Sequence, residues 1–258
     1  MRYSALTETG KVRDNNEDSY HVDERTFIVA DGMGGHRAGE VASSAAIEEF
    51  LRFEEANASL EPVDRMREGI LAANRELYAQ AMGDTSLEGM GTTFTAVLVE
   101  GEVFMGHVGD SRAYLWRDGG LRLLTRDHSL VERMVQEGRI TRTEARNHPH
   151  RNIILRALGV SDQVQVDMRS YAAAPGDRLL LCSDGLTESL EDGEIARILC
   201  EFPDLDECCR ALVDVANDRG GTDNITVVLV EFEEGDVIDG KQGKKGGWWR
   251  GIFSSKKG

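Results

Sequence analysis

Phe27-Ile28-Val29-Ala30-Asp31-Gly32-Met33-Gly34-Gly35-His36-Arg37-Ala38-Gly39-Glu40 runs from an apolar strand through a glycine-rich turn into the start of a helix. The same ending recurs along the chain. Val103 to Val108 stops at Gly109-Asp110, and Leu179-Leu180-Leu181-Cys182-Ser183 stops at Asp184-Gly185. Asp223 instead opens Asn224-Ile225-Thr226-Val227-Val228-Leu229-Val230. If that last strand runs antiparallel to a neighbour, its start lies beside the neighbour's end, and all four acids meet on one rim. Asp-Gly and Asp-Asn are ordinary turn dipeptides, so one of them alone signals only a turn; the repetition carries the reading. With Glu17 and Asp18 the pattern predicts an acidic metal site at one sheet edge, because crowded carboxylates repel one another and hard divalent cations relieve that repulsion.

Outward from these runs, strands are expected near 2–8, 19–30, 92–99, 102–108, 112–117, 163–171, 178–183 and 225–233. Val41, Ala45 and Phe50, and then Met66, Ile70 and Leu77, recur at helical spacing and predict long helices over 38–54 and 63–82. Shorter helices are expected at 129–137, 141–147, 192–200 and 205–217, the last capped by Asp204 or Asp206. Adjacent strands such as 92–99 and 102–108, joined by Glu100-Gly101, argue for antiparallel pairing. Two such sheets packed together with helices outside, an α/β sandwich, is the architecture this order supports.

The 258 residues show no linker within the first 233, no apolar run long enough for a membrane span and no leader pattern, so a cytoplasmic protein is expected. Cys182, Cys200, Cys208 and Cys209 lack the spacing of a zinc site and suggest no disulfide framework. Net charge is −16, yet six of the 30 Lys and Arg lie in 241–258, which has no acid. A body this acidic is a poor nucleic-acid binder. Residues 126–159 run the other way, with seven Arg against four acids.

The turn after Ala30 invites comparison with the dinucleotide-binding Gly-x-Gly-x-x-Gly fingerprint. Arg37 stands where the third glycine belongs, and Asp31 would oppose a pyrophosphate, so that comparison fails. Glycines there would instead let the backbone approach a cation, with Asp31 bridging two ions and the Gly32 carbonyl adding an oxygen. Arg13 precedes Glu17-Asp18 by four or five positions, a spacing suited to a guanidinium that holds phosphate while carboxylates hold metal.

Arg13 with Asn16-Glu17-Asp18, Asp31-Gly32-Met33-Gly34-Gly35-His36, Gly91-Thr92-Thr93, Gly109-Asp110-Ser111-Arg112, Ser183-Asp184-Gly185 and Thr222-Asp223-Asn224 resemble, in order and spacing, the bacterial type 2C metal-dependent serine/threonine protein phosphatases. The resemblance covers about residues 1–233. It implies an αββα sandwich, two antiparallel sheets flanked by helices, with a binuclear Mn²⁺ or Mg²⁺ centre and a third, weaker ion. By that match Asp31 bridges the ions, Asp184 and Asp223 complete one, Glu17 and the Gly32 carbonyl serve the other, and Asp110 joins Asp184 at the third. Asp18 would orient the attacking water, and Arg13 would hold the substrate phosphate. The oxygen-only donor set independently selects Mg²⁺ or Mn²⁺ over zinc. His36 is the candidate general acid because it is the His nearest in sequence to a metal ligand.

The segment 126–159 resembles the family's flap, and residues 1–239 are expected to form the catalytic domain. The expected partners are phosphorylated proteins and a serine/threonine kinase, with the chain a monomer. A phosphohydrolase of small molecules would need a closed pocket, and a silent binding module should have lost some of the acids. Residues 240–258, with Trp248-Trp249-Arg250-Gly251-Ile252-Phe253 among lysines and glycines, are expected to be a flexible tail tethering weakly, to a protein partner or the acidic body in preference to an anionic membrane.

Overall fold

Strands β1 (Arg2–Glu8), β2 (Asp18–Val22) and β3 (Thr26–Met33) lead into helices α1 (Ala38–Ala56) and α2 (Pro62–Gly83). Then follow β4 (Gly91–Thr92), β5 (Phe94–Glu100), β6 (Glu102–Val108), β7 (Arg112–Arg117) and β8 (Gly120–Leu123). Helices α3 (Leu130–Gln136) and α4 (Arg142–Arg146) precede β9 (Asp167–Tyr171) and β10 (Arg178–Cys182). Helices α5 (Asp184–Ser189), α6 (Asp192–Glu201) and α7 (Leu205–Asp218) lead to β11 (Ile225–Glu231). This computed structural model describes residues 1–34 and 38–236, so the expected tether at 240–258 lies outside the described residues.

The strands form two antiparallel sheets, one ordered β1-β11-β10-β7-β8 and the other β2-β3-β5-β6-β9 with β4 beside β3. Alternation along each strand explains why the apolar runs are unbroken, because successive side chains point to opposite faces and both faces are covered. Ile28 and Ala30 pack under α1 and α2, whereas Phe27 and Val29 enter the layer between the sheets. Leu180, Cys182, Val227 and Leu229 likewise face α5, α6 and α7, while Leu179, Leu181, Val228 and Val230 fill the inter-sheet layer. The result is the expected four-layer α+β sandwich.

Several expected elements differ. The run 19–30 is two strands, because the Asp23 carboxylate accepts from the backbone N–H groups of Arg25 (2.8 Å) and Thr26 (2.6 Å) and turns the chain. The strand expected over 163–171 starts only at Asp167; Val164 and Val166 pack on the α1–α2 core. Strand β8 and helix α5 were not expected. Helix α5 begins at Asp184-Gly185, where a Cβ on Gly185 would lie 2.1 Å from the Asn224 carbonyl oxygen, so glycine here serves close approach to β11 as well as turning. Asp204, rather than Asp206, caps α7 by accepting from the Glu207 N–H.

Candidate metal centre and substrate cleft

The acids do gather, but on a rim shared by two sheets rather than at the edge of one. Asp18 and Asp31 are direct partners across the β2–β3 ladder, on the second sheet. Asp110 follows β6 of that sheet, whereas Asp184 and Asp223 follow β10 and precede β11 of the first. Because β10 and β11 are antiparallel, with Cys182 opposite Val227, the end of one adjoins the start of the other, as the sequence argument required.

Asp31, Glu17 and Asp18 are held by backbone, amide or hydroxyl contacts that leave carboxylate oxygens free for the cleft. The Asp31 N–H donates to Thr93 Oγ1 (2.9 Å), and the Asp31 carbonyl accepts from the Thr93 N–H and the Thr92 hydroxyl, both at 2.9 Å. The Glu17 N–H donates to Asn224 Oδ1 (2.8 Å), and Asn224 Nδ2 donates to the carbonyls of Thr9 and Asn15, which ties the first loop to the last strand. The Glu17 carboxylate rests against the start of α1; a Cβ on Gly39 would lie 2.6 Å from its Oε1. Asp18 Oδ2 accepts from Ser183 Oγ (2.7 Å) and Thr226 Oγ1 (2.6 Å).

Electrostatics register the crowding. Burial, followed by the charges of Asp18, Asp184, Asp110 and Asp223, raises the Asp31 carboxyl well above the usual range. Burial and then Asp110, Glu188 and Asp223 do the same to Asp184. Burial lifts Asp18 to about 6 against the pull of its two hydroxyl donors, and burial with Asp127 lifts Asp110 to about 7. Asp18 Oδ1 and Asp110 Oδ1 are buried without a hydrogen-bond partner. Such a group calls for a proton, a cation or a hydrogen bond from water.

Among the described residues no three Asp, Glu, His or Cys side chains close into a ready cage for one ion. Mg²⁺ does not require one, since it keeps several waters and uses one or two carboxylates at a time. The orphaned oxygens and the oxygen-only donor set of the described rim fit Mg²⁺ or Mn²⁺.

Half-exposed Arg13 reaches the same rim, with Nη2 2.8 Å from Asp223 Oδ2. The candidate acid His36 lies outside the described residues. Sequence reasoning missed Glu188, whose charge acts on both Asp110 and Asp184. Its signal is the four-residue spacing from Asp184 along α5, invisible without that helix. The roles of Ser183, Thr93, Asn224 and Thr226 also went unread.

Beside the rim opens a cleft of about 760 Å³ between the α3–α4 segment and α5, with Asp110 and Asp184 among its lining residues. Its arginines are already engaged. Arg112 forms a fork on Asp127 (Nε–Oδ1 2.9 Å, Nη2–Oδ2 2.6 Å), Arg142 pairs with Glu132, Arg146 donates to the carbonyls of Thr187 and Leu190, and Arg151 pairs with Glu188. Of the seven arginines in 126–159, Arg139, Arg142, Arg151 and Arg156 pair with Glu137, Glu132, Glu188 and Asp167.

The Protein phosphatase 2C family profile matches residues 9–229. The serine/threonine protein phosphatase PstP of Mycobacterium tuberculosis is 41% identical over 240 residues, covering 93% of this chain but 45% of PstP. The chain thus spans less than half the length of that relative. The serine/threonine phosphatase stp of Listeria monocytogenes is 43% identical over 241 residues, covering 90% of this chain and 96% of its own. A solved structure of the PstP catalytic domain in complex with two manganese ions superposes with a TM-score of 0.82 at 40% identity, covering 90% of this chain and 98% of that one.

Proposed function

Since the chain belongs to the protein phosphatase 2C family, we propose that it is a Mn²⁺- or Mg²⁺-dependent protein phosphatase that hydrolyses phosphoserine and phosphothreonine on proteins. The observation that carries the proposal is the convergence of Asp18, Asp31, Asp110, Asp184 and Asp223 on one desolvated rim. Asp31, Asp184 and Asp223 would hold one ion. Asp31, Glu17 and the Gly32 carbonyl would hold the second, and Asp110 with Asp184 a third. When bound, such ions supply an acidified water and neutralise the charge that develops on the phosphoryl group.

This chain's own residues do the rest. Arg13 binds the phosphate oxygens by charge-assisted hydrogen bonds. Asp18, fixed by Ser183 and Thr226, accepts a hydrogen bond from the attacking water and so orients it. No Cys or Ser nucleophile is needed, and burial pushes the Cys182 thiol up to about 12, far from a thiolate at neutral pH.

The open cleft beside the rim supports a polypeptide substrate over a small phosphoester, which would need enclosure. We take residues 1–239 as the catalytic domain and 126–159 as its flap. The substrates are products of a serine/threonine kinase in the same compartment. Four free thiols suit the cytoplasm, and no helix among the described residues is long and apolar enough to cross a membrane.

The test is turnover of a phosphothreonine peptide. Activity should require added Mn²⁺ or Mg²⁺, disappear in excess chelator, and fall to background in Asp31→Asn. Full activity in chelator, or an active Asp31→Asn enzyme, would overturn the proposal.

A further inference from the structure

In β10 and β11 every second side chain enters the apolar layer between the sheets, and that alternation places Ser183 and Thr226 in it as well. Both are fully buried. Burying a hydroxyl is unfavourable unless it is hydrogen-bonded, so two polar residues at the rim end of this layer call for partners. Their shared partner comes from the opposite sheet: Asp18 Oδ2, 2.7 Å from Ser183 Oγ and 2.6 Å from Thr226 Oγ1.

The donors order themselves. Thr226 gives its proton to the carboxylate, so its oxygen must accept at 2.7 Å from the hydroxyl of Thr7. Thr7 Oγ1 in turn accepts from Asn16 Nδ2 at 2.8 Å. Ser183 Oγ also donates to Asp18, and accepts from the Thr226 N–H at 2.9 Å. Every proton in the chain Asn16 to Thr7 to Thr226 to Asp18 runs one way, and a one-way chain reinforces each bond in it. One oxygen of Asp18 is thereby consumed, while Oδ1 stays buried and unpartnered.

We propose that Thr226 and Ser183 are positioning residues that fix the Asp18 carboxylate across the two sheets, so that its free oxygen alone is aimed at the reacting water. The assignment rests on the phosphatase reading above, but its structural half stands apart from it. Thr7 and Asn16 form the outer part of the same arrangement and set the direction in which Thr226 donates.

Thr226→Val keeps the shape of the side chain and removes the hydroxyl; Thr226→Ser keeps the hydroxyl. With Mn²⁺ and a phosphothreonine peptide, Thr226→Val should lower kcat about tenfold to a hundredfold, the worth of one hydrogen bond to a charged group, with KM unchanged within about twofold. Mn²⁺ affinity by calorimetry should stay within about threefold of wild type, and Thr226→Ser should recover most of the turnover. Crystals of Thr226→Val should show the Asp18 carboxylate rotated, an answer that does not depend on turnover. Wild-type kcat in Thr226→Val, an equal loss in Thr226→Ser, a tenfold loss of Mn²⁺ affinity, or an unmoved carboxylate would each overturn the proposal. A wild-type protein inactive on all phosphopeptides, with the carboxylate still rotated in Thr226→Val, would instead sink the phosphatase reading alone.

Discussion

Arg13 offers the plainest separation of binding from chemistry. Its guanidinium is half exposed and reaches the rim through Asp223, so the bond proposed to a substrate phosphate would form in the ground state. Arg13→Ala should raise KM for a phosphopeptide more than it lowers kcat, with a total loss of about 1.5–3 kcal/mol in kcat/KM. Steady-state kinetics would check this, and an unchanged KM would remove Arg13 from the site. His107 reports on stability instead. It is buried, its Nδ1 meets Thr95 Oγ1 at 2.9 Å and its Nε2 meets the Arg126 carbonyl at 3.0 Å; burial, then His128, lowers its pKa to about 4. The unfolded chain therefore takes up this proton near pH 6.5 while the folded one resists it, so stability is full above pH 6.5 and falls as the pH drops toward 4. Relative to His107→Gln, the wild type should lose on the order of 3 kcal/mol across that window, from an ordinary pKa of 6.5 to a folded value of about 4, as measured by urea unfolding at each pH. At this scale the acids were legible because Asp beside Gly or Asn at strand ends is a repeated pattern. The residues that hold them were not, since a Thr or Ser inside a strand looks like any other and its partner lies up to 208 positions away.

Among the elements, the segment proposed as the flap is fastened at its entry to the turn that carries Asp110 and at its exit to β4, beside Asp31. At its entry the His128 N–H donates to the Gly109 carbonyl at 2.7 Å, and His128 Nδ1 accepts the Gly109 N–H at 3.1 Å. At its exit Leu158 exchanges two backbone hydrogen bonds with Thr92, whose hydroxyl holds the Asp31 carbonyl. The two stems also clip to each other, Leu155 N–H to the His128 carbonyl and Leu130 N–H to the Ile153 carbonyl. His128→Ala would strand the Gly109 N–H and take one partner from Asp167, whose ion pair with Arg156 stays, costing about 1–3 kcal/mol. Denaturant unfolding should show that loss, and limited proteolysis should cut faster within 129–153; unchanged cutting would mean the clamp does not seat the flap. The long helices and core strands were legible because their periodicities are strong over many residues. Strand β8 is four residues with an alternating exposed pattern, α5 is six residues that open on what reads as a turn, and neither gives a period long enough to detect.

For the whole molecule, the rim joins two sheets, so an ion bound there binds the packed sandwich and not its parts. Binding to the folded state alone should raise stability by about 2.7 kcal/mol at Mn²⁺ one-hundredfold above Kd, and Asp31→Asn should lose most of that increment. Thermal unfolding with and without Mn²⁺ would test it; equal shifts in both proteins would place the ion elsewhere. The sandwich itself was foreseeable from the order of strands and helices, but its rim was assigned to one sheet because nothing local in the chain says which strands become neighbours. One such pairing has a consequence for biosynthesis. Among the described strands β1 pairs with β11 alone, Arg2 opposite Glu231 through Glu8 opposite Ile225. At about 5–20 residues per second, β1 waits roughly 10–45 s after translation before its partner exists. Asp223 leaves the ribosome at the same late moment, so a nascent chain lacks one of the proposed metal ligands, and with it any activity that depends on that ligand, until β11 is being made.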